Sequence, residues 1–327
     1  MEIDFQVLSK MNRRGFEVSF AWLFAMIVGA FILFLAIYGV VKLMNVQEGA
    51  IDAEAAKKIG VVLNSLESGF ETSTKTKLTM PVESRIFNKC DTFGDFGIQS
   101  LRVSQLSFKK WTKTDYEPTF YNRYLFSEGY EEGKVFYMFF KPFEFPFKVS
   151  DLIYMTSADK KYCFSGLDDD LEDIYSELSN LGQSNILLDD DEAMDCKNRE
   201  DVITVCFGSS GCDIEVGYSG EGIGSVKKDF EKKQETMYFY SDALMYAAIF
   251  SDKYTYECQL TRLMKRVNIL SEIYLEKAAF VSRVGCNSRA ESGLSILSQI
   301  QLEDSSELRS IIGIVEGIKD QGNCKLW

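Results

Sequence analysis

Residues Val18 to Val41 read VSFAWLFAMIVGAFILFLAIYGVV and carry no charge. At about 1.5 Å of rise per helical residue the run spans roughly 36 Å, more than a hydrocarbon core of about 30 Å. The segment therefore predicts a transmembrane helix over 18–41. Residues 1–17 become a short tail or leader on one side of the membrane, and everything from Lys42 lies on the other. A secretory signal peptide also begins with basic residues, but its apolar run is about 7–15 residues and ends at a small-x-small site. Here Val41 is followed by Lys42, Leu43, Met44 and Asn45, so an uncleaved anchor is expected. Trp22 and Tyr38 stand near the ends of the run, where amphipathic rings favour the headgroup level.

Orientation follows weakly from charge and better from cysteine placement. Lys10, Arg13 and Arg14 precede the helix and Lys42, Lys57 and Lys58 follow it, so the tally is a tie, although the Arg pair lies closer. All eight cysteines (Cys90, Cys163, Cys196, Cys206, Cys212, Cys258, Cys286 and Cys324) come after the helix. An even count confined to one side points to disulfides in an oxidising exterior, with the N-terminus cytoplasmic. Zinc is the rival for thiols, but the closest pair is Cys206 and Cys212, outside the usual Cys-x2–4-Cys spacing, and the chain has no histidine. Two cysteine pairings are expected. Cys206 and Cys212 flank Gly208-Ser-Ser-Gly211 between two alternating runs, which reads as a cross-strand pair in a hairpin. Cys324 near the end of the chain is expected to be pinned to Cys286.

A net charge of −13 repels nucleic acid and anionic headgroups, so no polynucleotide partner is expected. The remaining pattern predicts an α+β fold: the membrane helix extended into a stalk, an antiparallel-rich sheet region, and a helical C-terminal part. Lys42 to Phe70 contains no proline and places Ile51, Ala55, Ile59, Val62 and Leu66 on one helical face, giving an amphipathic stalk over 42–70 that breaks near Gly69 and docks on the exterior domain. That domain, 71–327, divides into a β-rich stretch over 76–165, a mixed α/β stretch over 166–240 and a helical stretch over 241–327. Period-two alternation marks Pro81 to Phe87, Ile98 to Phe108 and Phe143 to Val149 as strands, the last confined by Pro146 to an edge or a bulge. Asp168 to Asp170 form the acidic first turn of a short helix ending near Leu178. Asn185–Leu188 and Met237–Tyr240 read as strands. Leu260 to Ala278 and Leu308 to Ile318 form two amphipathic helices, the second capped by Ser305 or Ser306 and separated from the first by a turn or two around Leu294 and Leu297.

Little chemistry is legible. Without histidine, the Ser-His-Asp and Cys-His arrangements are absent. Asp189-Asp-Asp-Glu192 with Asp195 lacks the spacing of a calcium loop and reads as a solvated acidic loop. Gly220-Glu-Gly-Ile-Gly224, leading to Lys228, matches neither a phosphate loop nor a dinucleotide fingerprint and reads as a flexible loop. No catalytic residue, cofactor site or metal site is expected.

Arg13-Arg14-Gly15-Phe16 followed directly by the apolar helix resembles the class III signal of archaeal type IV pilin-like proteins. The resemblance covers about 30 residues and implies leader cleavage between Gly15 and Phe16. The chain departs from that pattern in placing Phe20, not glutamate, at the fifth position after the site, with Glu17 at the second. Taken together, these features predict a single-pass surface protein acting as a structural or assembly component, with an anchored ligand- or peptide-binding ectodomain as the alternative. Its expected partners are the lipid bilayer and a protein partner or second copy. That partner would meet the membrane helix at small residues such as Gly29 and Ala30, and the stalk.

Overall fold

The computed structural model describes residues 20–65, 75–113, 116–189, 196, 201–220, 222–230, 233–319, 321 and 324–327. The chain divides into two compact units, Met1–Ala50 and Ile51–Trp327. A single helix, α1 (Phe20–Ser65), contributes to both. Its stretch Phe20–Lys42 has a mean hydropathy of 2.7 with none of it buried, and is long and apolar enough to cross a membrane. The second unit starts within α1. Ala55, Ala56 and Ile59 are buried there against Met80, Ile86 and Leu101, so this part of the predicted stalk belongs to the domain core. The side chains of Ile51 and Val62, with Leu66 and the expected break near Gly69, lie outside the described residues.

The first sheet contains β1 (Lys75–Asp91), β2 (Ile98–Ser107), β3 (Lys110–Trp111), β4 (Thr119–Phe120), β5 (Leu125–Phe126), β6 (Tyr130–Glu144) and β7 (Lys148–Ser157). Its order is β3-β2-β1-β6-β7-β5, with β4 also on β2, and its pairings are antiparallel except β5 with β7. Alternation splits its two faces. Phe136, Met138, Ile153 and Met155 join the core shared with α1, while Phe139, Phe143, Leu152 and Tyr154 point into the larger core behind.

The second sheet is built from β8 (Lys161–Ser165), then, after α2 (Glu172–Leu181), from β9 (Ile186–Leu188), β10 (Val202–Phe207), β11 (Ile214–Gly220), β12 (Ile223–Phe230) and β13 (Lys233–Tyr240). The order is β13-β12-β11-β10-β8-β9, with β11, β10, β8 and β9 mutually parallel. Four helices and helical turns finish the chain: α3 (Ser241–Phe250), α4 (Lys253–Arg283), α5 (Glu291–Leu297) and α6 (Leu308–Lys319). Every residue of α3 from Ala243 to Phe250 is buried, as expected for a helix apolar on all sides. It packs on both sheets. Phe250 meets Phe139 of the first sheet edge-on at 5.5 Å and Tyr162 of the second at 5.0 Å.

Buried polar groups fix α4 and the end of α3. Arg262 is fully buried and has no carboxylate partner among the described residues; its guanidinium donates instead to the carbonyls of Phe96 (3.1 Å), Tyr121 (2.7 Å) and Arg123 (2.9 Å) and to Gln259 Oε1 (2.7 Å). Lys228 donates to the carbonyls of Ile249 (2.8 Å) and Ser251 (2.7 Å), neutralising the negative end of α3. Burial lowers its pKa to about 8.

Four expectations need correction. Phe143 to Val149 is not one strand: Phe143 and Glu144 end β6, Phe145 N–H donates to Phe147 O at 2.8 Å in a tight turn, and β7 starts at Lys148. Pro146 sits in that turn, where no ladder donor is needed. The Cys206/Cys212 segment is not a hairpin. Strands β10 and β11 run parallel, and the crossing between them is held by Asp213, whose carboxylate accepts from the Thr204 N–H and hydroxyl at 2.8 Å each. Alternation alone does not distinguish the two directions. Gly222 to Lys228 is no flexible loop: from Ile223 on it is β12, paired antiparallel with β11, and a Cβ on Gly224 would lie 2.3 Å from Gly217 O. Finally, Ser305 and Ser306 lie inside a 3-10 turn, Ser305–Glu307, that leads into α6 and is capped by Asp304, which accepts from Ser306 N–H at 2.8 Å.

Candidate functional site at the carboxyl edge of the second sheet

Neighbouring parallel strands β8 and β10 lead the chain away in opposite directions. From β8 it passes through α2 to β9 on one side, and from β10 it turns to β11 on the other. Such a reversal of strand order opens a crevice at the carboxyl ends of the strands, the usual place for a ligand in an open parallel sheet. Two glycines permit it. Gly166 and Gly208 follow the two strand ends with φ of +74° and +67°, and a Cβ at Gly166 would stand 2.4 Å from Phe207 O. The resulting cleft has a volume of about 1150 Å³.

Leu171, Ile174, Phe207 and Ile223 contribute apolar surface to it. Its polar groups come from the junction of β13 with α3. Ser241 adopts φ +71°, uncommon for a residue with a side chain, and donates its N–H to Gly222 O at 2.6 Å. Its Oγ is covered and has no hydrogen-bond partner. Beside it, burial raises the pKa of Asp242; Glu177 and Asp173 push the same way, and Lys141, at 3.9 Å, opposes them. The Tyr218 hydroxyl donates to Met245 Sδ at 2.9 Å, and burial next to Asp242 raises its pKa. Next to Ser241 in the chain, Tyr240 donates to Glu316 at 2.6 Å, while Lys319 bridges Tyr240 at 2.9 Å and Glu316 at 2.8 Å. Since Ser241 Oγ touches no base, the arrangement suits recognition more than nucleophilic attack.

A second cleft of about 770 Å³ lies where β7 passes into β8. Glu131 is 2% exposed there, accepts from Ser157 N–H at 3.0 Å, and has one oxygen without a hydrogen bond. Burial raises its pKa to about 7 despite Lys160 at 3.9 Å. Lys160 is held by Glu128 at 2.5 Å.

The cysteines form four pairs: Cys90–Cys258, Cys163–Cys196, Cys206–Cys212 and Cys286–Cys324, with Cα separations of 6.1, 5.8, 5.9 and 5.6 Å. No cysteine is left free. Cys206 directly precedes Phe207, a cleft residue, in β10. Gly15 and Phe16 lie outside the described residues, as do Asp190–Asp195 of the acidic loop. Asp168 precedes a 3-10 turn, Asp169–Leu171, that leads into α2, and its side chain and that of Asp170 line the cleft. No metal-holding group of three acidic or sulfur side chains exists among the described residues. Sequence reasoning missed Ser241, Tyr218 and Glu131. The change from a two-residue to a helical period at Tyr240-Ser241 marked the first, and nothing marked the other two. No protein-family model matches the chain, and comparisons with curated proteins and with solved structures find no match.

Proposed function

We propose that this chain is a single-pass membrane protein, with its N-terminus cytoplasmic and its disulfide-bonded domain outside, acting as a structural or assembly component of a type IV pilus-like apparatus. The observation that carries the reading is α1. One uninterrupted helix of 46 residues has a bare apolar first half and a later stretch whose Ala55, Ala56 and Ile59 are locked into a folded core. The apolar half must find lipid or other helices, and Gly29 and Gly39, with open space where a Cβ would sit, leave room for close approach. Four disulfides fit an oxidising exterior. Arg13-Arg14-Gly15-Phe16 supplies the pilin-like start. Because Ala55 and Ile59 pack into the domain itself, we assign association to Phe20–Lys42.

A photo-crosslinker at exposed Phe31, in native membranes, should capture a second copy or another membrane helix, and intact mass should show loss of residues 1–15. A full-length protein that captures only lipid would sink the assembly reading. The anchored ligand-binding ectodomain is the second reading, and the specific observation behind it is the crevice at the β8/β10 reversal.

A further inference from the structure

We propose that the carboxyl-edge crevice receives a primary ammonium group on an apolar stem, from either a free diamine or polyamine or a lysine side chain of a peptide. The inference rests on the ligand-binding reading and names the chemistry of its ligand.

Charge excludes the opposite choice. Two helical segments begin at the cleft, α2 and α3, and helix N-termini favour anions. Yet Asp168, Asp170, Asp173 and Asp242 stand at those same starts, so a phosphate or carboxylate would meet a row of carboxylates. Asp168, Asp170 and Asp173 form no ion pair with a lysine or arginine among the described residues. The nearby cations are engaged: Lys141 is 2.5 Å from Glu177, and Lys319 is held by Glu316 and Tyr240. The site therefore presents unneutralised negative charge to whatever enters.

A bare metal ion fits poorly, because no three carboxylates converge among the described residues. A ligand that brings its own donors fits better. An ammonium offers three N–H groups, which match the carboxylate of Asp242 and the covered, unpartnered oxygen of Ser241. The ring of Tyr218 borders the same space and supplies a face that attracts a cation, whereas Lys319 already stands 5.6 Å over the ring of Tyr240. The raised pKa of Asp242 agrees, since an incoming positive charge relieves the repulsion from Glu177 and Asp173. The apolar surface of Leu171, Ile174, Phe207 and Ile223 accommodates the hydrocarbon stem while the charged head stays at the acids.

The test titrates full-length protein in detergent micelles by calorimetry with four probes: 1,5-diaminopentane, its neutral isostere 1,5-pentanediol, the peptide Gly-Lys-Gly, and Gly-norleucine-Gly. The charged member of each pair should bind at least about tenfold more tightly, the scale of one charge-assisted contact. The double variant Asp170→Asn/Asp173→Asn, both positions exposed, should keep its melting temperature and lose that preference, and Ser241→Ala should weaken the charged probes alone. Tighter diamine binding assigns the site to free polyamines, and tighter peptide binding assigns it to a lysine side chain. Charged and neutral probes binding equally, with no response to the aspartate variant, would overturn the ammonium assignment while leaving a ligand site. No binding by any probe, together with no effect of filling the cleft by Gly208→Trp on any measured property but stability, would overturn the ligand-binding reading as well.

Discussion

Removing the Cys90–Cys258 bridge should cost the folded state more than removing any other, and loop length fixes by how much. Cys90 in β1 and Cys258 in α4 are 168 residues apart in sequence, whereas Cys206 and Cys212 are 6 apart. In the chain-entropy treatment a bridge stabilises by restricting the unfolded chain, with a logarithmic dependence on loop length. That gives about 5 kcal/mol for the long loop and about 2 kcal/mol for the short one. The bridges Cys163–Cys196 and Cys206–Cys212 are nested inside the long loop and shorten it, but the logarithm turns that into only about 0.2 kcal/mol. Cys163–Cys196 and Cys286–Cys324, with separations of 33 and 38, fall between, at about 4 kcal/mol each. Each pair replaced by alanines in the full-length protein, unfolded with urea in detergent, should give the order long, middle, short. In thermal terms the extremes are drops of about 10–20 °C and about 4–8 °C for a domain of this size. Equal losses for the 168-residue and 6-residue pairs would refute the entropic argument and place the stabilisation in native packing instead.

Three further predictions test other parts of the structure. Ile59→Asp should destabilise the disulfide-bonded domain by more than about 4 kcal/mol, because the carboxylate would be buried among Ala56, Ile86 and Leu101 without a partner; an unchanged melting temperature would show that α1 does not pack there. Glu131 binds its proton more tightly when folded, with a pKa near 7 against an ordinary 4.5, so its contribution is fully present below pH 4.5 and is lost as pH rises through 7. The loss is about 3 kcal/mol; Glu131→Gln should flatten stability between pH 4.5 and 7.5, a window in which Lys228 stays charged, and identical slopes in the two proteins would contradict the assignment. Arg262→Met should remove the partly buried hydrogen bonds to the carbonyls of Phe96, Tyr121 and Arg123, at about 1 kcal/mol each, and amide exchange should quicken in the neighbouring segments. A protein with wild-type exchange in both would show that Arg262 fastens nothing.

Periodicity made the long elements legible. The apolar run before Lys42, the alternation of β2, and the stripes of α4 and α6 each carry their own signal over ten or more residues. Direction and partnership were not legible, because they depend on distant residues. The sequence around Cys206 and Cys212 alternates in the same way whether the chain turns back in a hairpin or crosses to a parallel neighbour. In the structure it crosses, and the Asp213–Thr204 hydrogen bonds, a side-chain event, hold that crossing. Gly220 to Gly224 looked like a loop because glycine weakens strands, yet there it allows two strands to approach closely. The cleft was least legible of all. Its walls come from five separate segments, and its polar centre, Ser241, is an ordinary serine until its backbone conformation is known.

The placement of α3 has a consequence for biogenesis. Both sheets turn their apolar faces toward this helix, and it is encoded after every one of their strands. As the chain emerges from its N-terminus, β1 to β13 must wait, with Phe139, Tyr154, Tyr162 and Phe164 uncovered, until Ser241–Phe250 arrives. Cys90 waits longer still, since its partner Cys258 belongs to the following helix, while Cys163 appears before that partner and stands ready for a wrong union. Newly made chains should therefore depend on a holding chaperone and a disulfide isomerase, and a ribosome stalled before residue 241 should display a sticky, misoxidised precursor rather than half a finished domain.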